Sequence, residues 1–227
     1  MNAIILAGGF GTRLKECVSN VPKPLAPING IPFLKILLQS IQNLNIEKII
    51  LSVGYKSDII IEQIGSTFSN IPIEYSIEKK PLQTGGAIKQ SLMLSKSENN
   101  LILNGDSFTS FKFNEFYREH LLYNRDISIV LKYMEDTSRY GQVEFDSNLN
   151  ITAFKEKKSG YSGWINCGVY LIKSSLIQKM NENVFSFEDF LGKNVNTISI
   201  GAFLTEGSFI DIGIPSDYRK AQGFEFK

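Results

Sequence analysis

Three glycines, Gly8, Gly9 and Gly11, stand between a short apolar run, Ala3 to Ala7, and the pair Thr12-Arg13, with Lys23 following in Pro22-Lys23-Pro24-Leu25. Residues without a Cβ let backbone N–H groups close around an anion. Arg13 adds a forked cation and Lys23 a point charge, both of which phosphates can use. A strand, a glycine loop, an Arg and then a Lys suit a nucleoside triphosphate held without a P-loop. The loop residues Leu6, Ala7, Gly8, Gly9, Gly11 and Thr12 are therefore candidate nucleotide contacts, and Arg13 and Lys23 candidate catalytic cations. A P-loop is excluded because no Gly-Lys-Ser/Thr occurs. A dinucleotide fingerprint is excluded because Leu14 stands where its third glycine belongs, and no acid follows about 20 residues on.

Two aspartates follow apolar runs far apart in the chain: Asp106 in Asn104-Gly105-Asp106, and Asp211 in Phe209-Ile210-Asp211-Ile212. Mg²⁺ takes a few carboxylates plus phosphate oxygens, and two aspartates at strand ends meet that need. Asp106 alone also reads as a helix cap, whereas a carboxylate in an apolar run is costly without a partner. Glu156 and Lys157 sit in a mixed-charge run that reads either as a solvated turn or as ligand contacts. Cys167 reads as a small apolar filler, Trp164 as core or as a sugar platform, and His120, in the polar helical stretch Asn114 to Asn124, as a surface residue.

The elements that would position these groups alternate through the first half. Strand-like runs fall at Ala3–Ala7, Lys48–Val53, Ile73–Ser76, Leu101–Asn104 and Ile127–Lys132, with helical patterns at Phe33–Asn43, Lys56–Phe68 and Gly85–Ser95. Such alternation implies a Rossmann-like α/β fold, a mostly parallel sheet flanked by helices, with ligands beyond the carboxyl ends of the strands. The second half predicts strands at Gln142–Phe145, Ile151–Lys155, Ile165–Ile172, Thr197–Ile200 and Ser208–Asp211. Helices are expected at Ser174–Met180, Ser186–Gly192 and Ser216–Gly223, giving a smaller antiparallel, substrate-facing lobe.

A chain of 227 residues with net charge +1 lacks the basic excess of a nucleic-acid or membrane-surface binder. No stretch reaches transmembrane length, and two cysteines make neither a disulfide framework nor a cysteine metal site, so a cytoplasmic setting is expected. The oligomeric state stays open, a homodimer included.

With these residues in place, the chain resembles the sugar-1-phosphate nucleotidyltransferases, which join a nucleoside triphosphate to a sugar 1-phosphate and release pyrophosphate. The resemblance runs in order from Leu6-Ala7-Gly8-Gly9-Phe10-Gly11-Thr12-Arg13-Leu14 through Pro22-Lys23-Pro24-Leu25 to Asn104-Gly105-Asp106. It continues in Phe154-Lys155-Glu156-Lys157, Ile165-Asn166-Cys167-Gly168-Val169-Tyr170 and Phe209 to Tyr218. It implies one domain over 1–227, with nucleotide binding mainly in 1–132 and sugar phosphate binding mainly in 133–227.

Residue by residue, the resemblance implies a nucleotide cradle at Gly8 to Gly11, Arg13 on the departing pyrophosphate and Lys23 near the α-phosphate. It places base contacts at Gln83, Thr84, Gly85 and Gly86, and Mg²⁺ on Asp106 and Asp211. It assigns sugar hydroxyls to Glu156, the sugar phosphate to Lys157, and the sugar site to Asn166, Gly168 and Gly213. The family usually carries a Pro and a Thr between Arg-Leu and Pro-Lys-Pro; here the stretch is Lys15-Glu16-Cys17-Val18-Ser19-Asn20-Val21. This version is similar to the bacterial guanylyltransferases acting on D-glycero-D-manno-heptose 1-phosphate, implying GTP as donor and a GDP-heptose for surface or capsule polysaccharide. Mannose 1-phosphate guanylyltransferases, or uridylyl- and thymidylyltransferases on a hexose 1-phosphate, are the alternatives. Gln83 stands where many relatives carry Gly. A glycosyltransferase would carry Asp-x-Asp, absent at Asn104-Gly105-Asp106-Ser107, and a non-catalytic relative would lose one of Arg13, Lys23, Asp106 or Asp211.

Overall fold

The computed structural model describes residues 1–14, 17–18, 21–156 and 160–226. In chain order these form β1 (Asn2–Leu6), β2 (Pro27–Ile28), β3 (Ile31–Pro32), α1 (Phe33–Ile41), β4 (Lys48–Val53), α2 (Ser57–Ile64), β5 (Thr67–Phe68), β6 (Ile71–Ile77) and α3 (Gln83–Leu92). Next come β7 (Asn99–Asn104), β8 (Ser107–Thr109), α4 (Phe113–Leu122), β9 (Ile127–Met134), β10 (Gln142–Phe145), β11 (Ile151–Lys155) and β12 (Gly163–Lys173). The chain closes with α5 (Phe187–Asn194), β13 (Ile200–Thr205), β14 (Phe209–Asp211) and α6 (Pro215–Ala221).

The centre of the sheet runs β7-β1-β4-β6, all parallel, and ten strands join in all among the described residues. Parallel strands covered on both faces read as unbroken apolar runs, which is why β1 and β4 were legible. Successive side chains alternate between two cores. Ala3, Ile5, Ile49, Leu51, Leu101 and Leu103 face the core under α1, α2 and α4, while Ile4, Ile50 and Ile102 face that under α3 and α5. Each such fully buried Ile or Leu contributes about 1.5–3 kcal/mol.

Antiparallel strands extend this parallel centre. The carboxyl-terminal half of the long β12 pairs with β7, its other edge pairs with β9, and Ile165 meets Gln142 of β10. The α/β fold expected from the sequence holds. Three details differ. The expected helix Lys56–Phe68 ends at Ile64, because Gly65 turns at φ +78° and Thr67–Phe68 pairs back onto β6. The expected strand Thr197–Ile200 lies at Ile200–Thr205, where Gly201-Ala202 looks like a break but pairs with β9. Ser174–Lys179 forms a 3-10 turn rather than an α-helix.

His120 is a correction of another kind. It is 1% exposed, not a surface residue. Its Nδ1 lies 2.9 Å from Ser128 Oγ and its Nε2 3.0 Å from Asn99 Oδ1. The polar look of α4 concealed the side of the helix that packs on the sheet. Burial, with Lys173 nearby, lowers the imidazole to a pKa of about 4, so it is neutral at physiological pH.

Candidate active site

Register places the strand ends level. Leu6 of β1 stands opposite both Ser52 of β4 and Asn104 of β7, so the loops that follow leave the sheet along one edge. The amide of Gly105 donates to the Leu6 carbonyl (2.9 Å), tying the Asp106 loop to the glycine loop. Asp106 then leads into β8, a strand, so the helix-cap reading falls. β14 pairs antiparallel with β8, setting Asp211 opposite Ser107, and Ile212 N donates to the Asp106 carbonyl (2.9 Å). This short ribbon brings together two aspartates that are distant in the chain.

Each aspartate carries a basic partner. Lys23, held in the turn Lys23–Leu25, sets Nζ 2.5 Å from Asp106 Oδ2. Arg139 Nη2 lies 3.2 Å from Asp211 Oδ2, and its Nη1 pairs with Asp217. Asp217 also receives Lys220 Nζ at 3.1 Å, and Gly213 N donates to Asp211 Oδ1 at 2.6 Å. Burial lifts the Asp211 carboxyl above the usual carboxylate range, and the charge of Asp106 adds to this, against Lys23, the Gly213 amide and Arg139. Burial and the charge of Asp211 push Tyr140 up to about 12, keeping it a neutral phenol. Among the described residues no third His, Cys, Asp or Glu joins the two aspartates as a metal group.

Two cavities meet at Asn104 and Asp106. One, of about 330 Å³, is walled by Leu6, Ala7, Gly8, Gly9, Pro81 and Ala87, with Lys23, Gln83 and Thr84, and has Glu78 as its second carboxylate. Glu78 follows β6, its Oε2 accepting from Leu82 N (3.0 Å) and its Oε1 from Ser52 Oγ (3.3 Å). It lies so close to the glycine loop that a Cβ on Gly8 would fall 2.2 Å from Oε1. Burial raises its carboxyl, and these two bonds oppose the shift.

The second cavity, of about 370 Å³, is polar and is lined by Arg13, Arg139, Tyr140, Lys155, Asn166, Gly168, Glu188 and Asp211 among others. Gly168 sits at φ +74°, where a Cβ would fall 2.5 Å from Asn104 Nδ2, so only glycine lets β12 bend against the shared wall. Asn166 Oδ1 accepts from the Gly168 amide at 2.9 Å and holds that bend.

The structure thus divides the residues singled out in the sequence. Leu6, Ala7, Gly8, Gly9, Lys23, Gln83 and Thr84 line the first cavity, Arg13, Asn166, Gly168 and Asp211 the second, and Asp106 both. Gly11, Thr12 and Glu156 line neither, Glu156 being exposed beyond β11, and Gly213 touches the site through Asp211. Gly85 and Gly86 do not line the first cavity either, and both amides donate to the Phe185 carbonyl (2.9 and 3.4 Å). Lys157 lies outside the described residues. Cys167 is buried and its thiol is pushed up to about 12, an inert filler, while Trp164 packs edge-on against Tyr133 and Phe145. Sequence reasoning missed Glu78, Arg139, Tyr140 and Glu188. Only Glu78 gave a signal, as an acid one residue beyond a strand at the ligand-binding edge.

A profile of the Nucleotidyl transferase family matches residues 2–226. The chain belongs to this family. Over 225 residues it is 41% identical to the D-glycero-alpha-D-manno-heptose 1-phosphate guanylyltransferase of Aneurinibacillus thermoaerophilus, covering 98% of this chain and 97% of that one. A protein of the same description from Campylobacter jejuni subsp. jejuni serotype O:2 is 41% identical over 219 residues, with 96% and 97% covered. The crystal structure of HddC from Yersinia pseudotuberculosis, complexed with GMP-PN, superposes with a TM-score of 0.86 at 37% identity, covering 98% of both chains. The nucleotidyl-transfer reading of the chain therefore holds.

Proposed function

We propose that this nucleotidyl transferase moves a guanylyl group from GTP to D-glycero-α-D-manno-heptose 1-phosphate, releasing pyrophosphate and a GDP-heptose for surface-polysaccharide assembly. The observation that carries the reading is the meeting of two unlike cavities at Asn104 and Asp106, one apolar with an acid, the other polar with two arginines. Two relatives so described at 41% identity over nearly the whole chain support the choice of substrates. Guanine offers adjacent N1–H and N2–H donors, and the Glu78 carboxylate is an acceptor that suits them. Uracil and thymine set carbonyl acceptors on both sides of one N–H, and such a mismatch in a buried site discriminates strongly.

In this reading an oxygen of the sugar phosphate attacks the α-phosphorus, and the bond to the β-phosphate breaks. The nucleophile is already anionic, so no general base is required, consistent with a single histidine that is buried away from both cavities. What remains is positioning and charge: Lys23 steadies the α-phosphate region, and Arg13 receives the negative charge gathering on pyrophosphate. Asp106 and Asp211 would hold Mg²⁺. An oxygen-only pair, of which Asp211 is lifted first by burial and then by the charge of Asp106, and which basic side chains neutralise, fits an ion that takes its other ligands from phosphates and water. When bound, the ion supplies charge neutralisation at the phosphates. We also place the protein in the cytoplasm: both cysteines are free, and among the described residues no helix is long and apolar enough to cross a membrane.

Pyrophosphate release tests the assignment, with GTP, UTP, dTTP and ATP each paired with the heptose, mannose and glucose 1-phosphates. GTP with the heptose phosphate is expected to turn over fastest. Faster turnover of UTP or dTTP with glucose 1-phosphate would remove the substrate assignment and leave the family membership untouched.

A further inference from the structure

Among the described residues three carboxylates line the polar cavity: Asp106, Asp211 and Glu188. The first two are matched by Lys23 and Arg139, whereas Glu188 has no ion-pair partner among the described residues. Its two hydrogen bonds both fall on one oxygen: Oε2 accepts from Thr84 Oγ1 (3.0 Å) and from Ser186 Oγ (3.1 Å). Among the described residues Oε1 has no hydrogen-bonding partner. Glu188 does not cap α5, since Ser186 accepts from Asp189 N at 3.2 Å and does that work. Thr84 belongs to the neighbouring cavity, and its hydroxyl is fixed from the other side by Phe187 N (2.9 Å). The Glu188 charge reaches Tyr170, whose hydroxyl receives Asn166 Nδ2 at 2.8 Å. Burial first, and then Glu188, lift that hydroxyl well above its ordinary range.

We infer that Glu188 is a sugar-binding, specificity-determining residue whose Oε1 accepts hydroxyls of the acceptor sugar, and that Thr84 positions it from within the nucleotide cavity. The inference rests on the reading that the polar cavity takes a sugar 1-phosphate. A carboxylate is the strongest hydroxyl acceptor at neutral pH, and a hydroxyl is what a sugar offers. The same charge repels phosphate. The sugar therefore lies with its phosphate away from Glu188, toward Lys23 and the α-phosphate, and its hydroxyls toward Glu188. Thr84, singled out as a base contact, acts instead through Glu188 on the sugar.

Steady-state kinetics separate the possibilities. Glu188→Gln replaces a carboxylate at the cavity wall with an amide that can donate; it is expected to raise KM for the sugar 1-phosphate about tenfold or more, with KM for GTP within about twofold. Thr84→Val, nearly isosteric, is expected to move the same sugar KM in the same direction, and Thr84→Ser to restore it. A purely structural role for either residue predicts a lower melting temperature with the two KM values unchanged. If Glu188→Gln leaves the sugar KM alone, or Thr84→Val raises the KM for GTP instead, the inference is overturned while wild-type turnover keeps the sugar 1-phosphate reading intact. A wild-type enzyme that releases no pyrophosphate with any sugar 1-phosphate overturns that reading and this inference together.

Discussion

Arg13 and Glu78 illustrate how differently two residues of one site are constrained. Arg13 stands exposed at the rim of the polar cavity, so its substitution removes little packing. Arg13→Ala should lower kcat by an amount equivalent to roughly 3–5 kcal/mol on the barrier, with the melting temperature unchanged. Near-normal turnover in the folded variant would take Arg13 out of the reaction. Glu78 is half-buried, bonded to Leu82 N and Ser52, and its value lies in acceptor geometry. Glu78→Gln keeps the shape and offers a donor, so the preference for GTP over UTP should fall by about 10²-fold. Comparing GTP with ITP, which lacks the 2-amino group, checks the same contact in the wild-type enzyme. An unchanged preference in the variant would show that the base is read elsewhere.

At the scale of elements, what the sequence made legible follows from burial. Parallel strands covered on both faces leave continuous apolar runs, so β4 was readable to the residue, and the glycine loop marked the ligand edge. The ribbon of β8 and β14 was not readable as a pair. Each strand has three residues, and their pairing depends on a contact between residues a hundred positions apart. Arg139 belongs to no motif of the sequence, and its pairing with Asp211 shows only in the fold. His120 was misread because α4 carries polar groups on its covered side, where His120 bridges to Ser128 and Asn99. That bridge makes a pH prediction. The folded imidazole has a pKa of about 4 against an ordinary 6.5, so below pH 6.5 the unfolded chain takes up a proton that the native state refuses. Stability should therefore fall as the pH drops from about 6.5 toward 4, by up to about 3 kcal/mol from this group. His120→Asn should be the less stable protein at pH 7, through lost buried hydrogen bonds, and the gap should narrow at pH 5. Urea midpoints at the two pH values decide it; a gap that stays constant would exclude His120 as the titrating group.

For the whole molecule, the site is a cluster in which Asp106, Asp211 and Asp217 face Lys23, Arg139 and Lys220, so that three negative charges meet three positive ones. Such a cluster need not stabilise the fold. Partly buried ion pairs lose hydration that their attraction only partly returns, and the raised Asp211 carboxyl marks where the balance is unfavourable. An acid with a raised native pKa destabilises the folded state where it is ionised, and the penalty disappears as the pH falls below its range. Asp211→Asn removes that charge at pH 7 and leaves Arg139 paired with Asp217. The variant should therefore melt at the same temperature as the wild type or slightly above it, while Mg²⁺-dependent pyrophosphate release is lost. Functional sites that hold like charges together commonly trade stability for activity in this way. A melting temperature several degrees lower would mean that Asp211 serves first as an anchor for Arg139, and that its charge is kept for the fold rather than for the proposed ion.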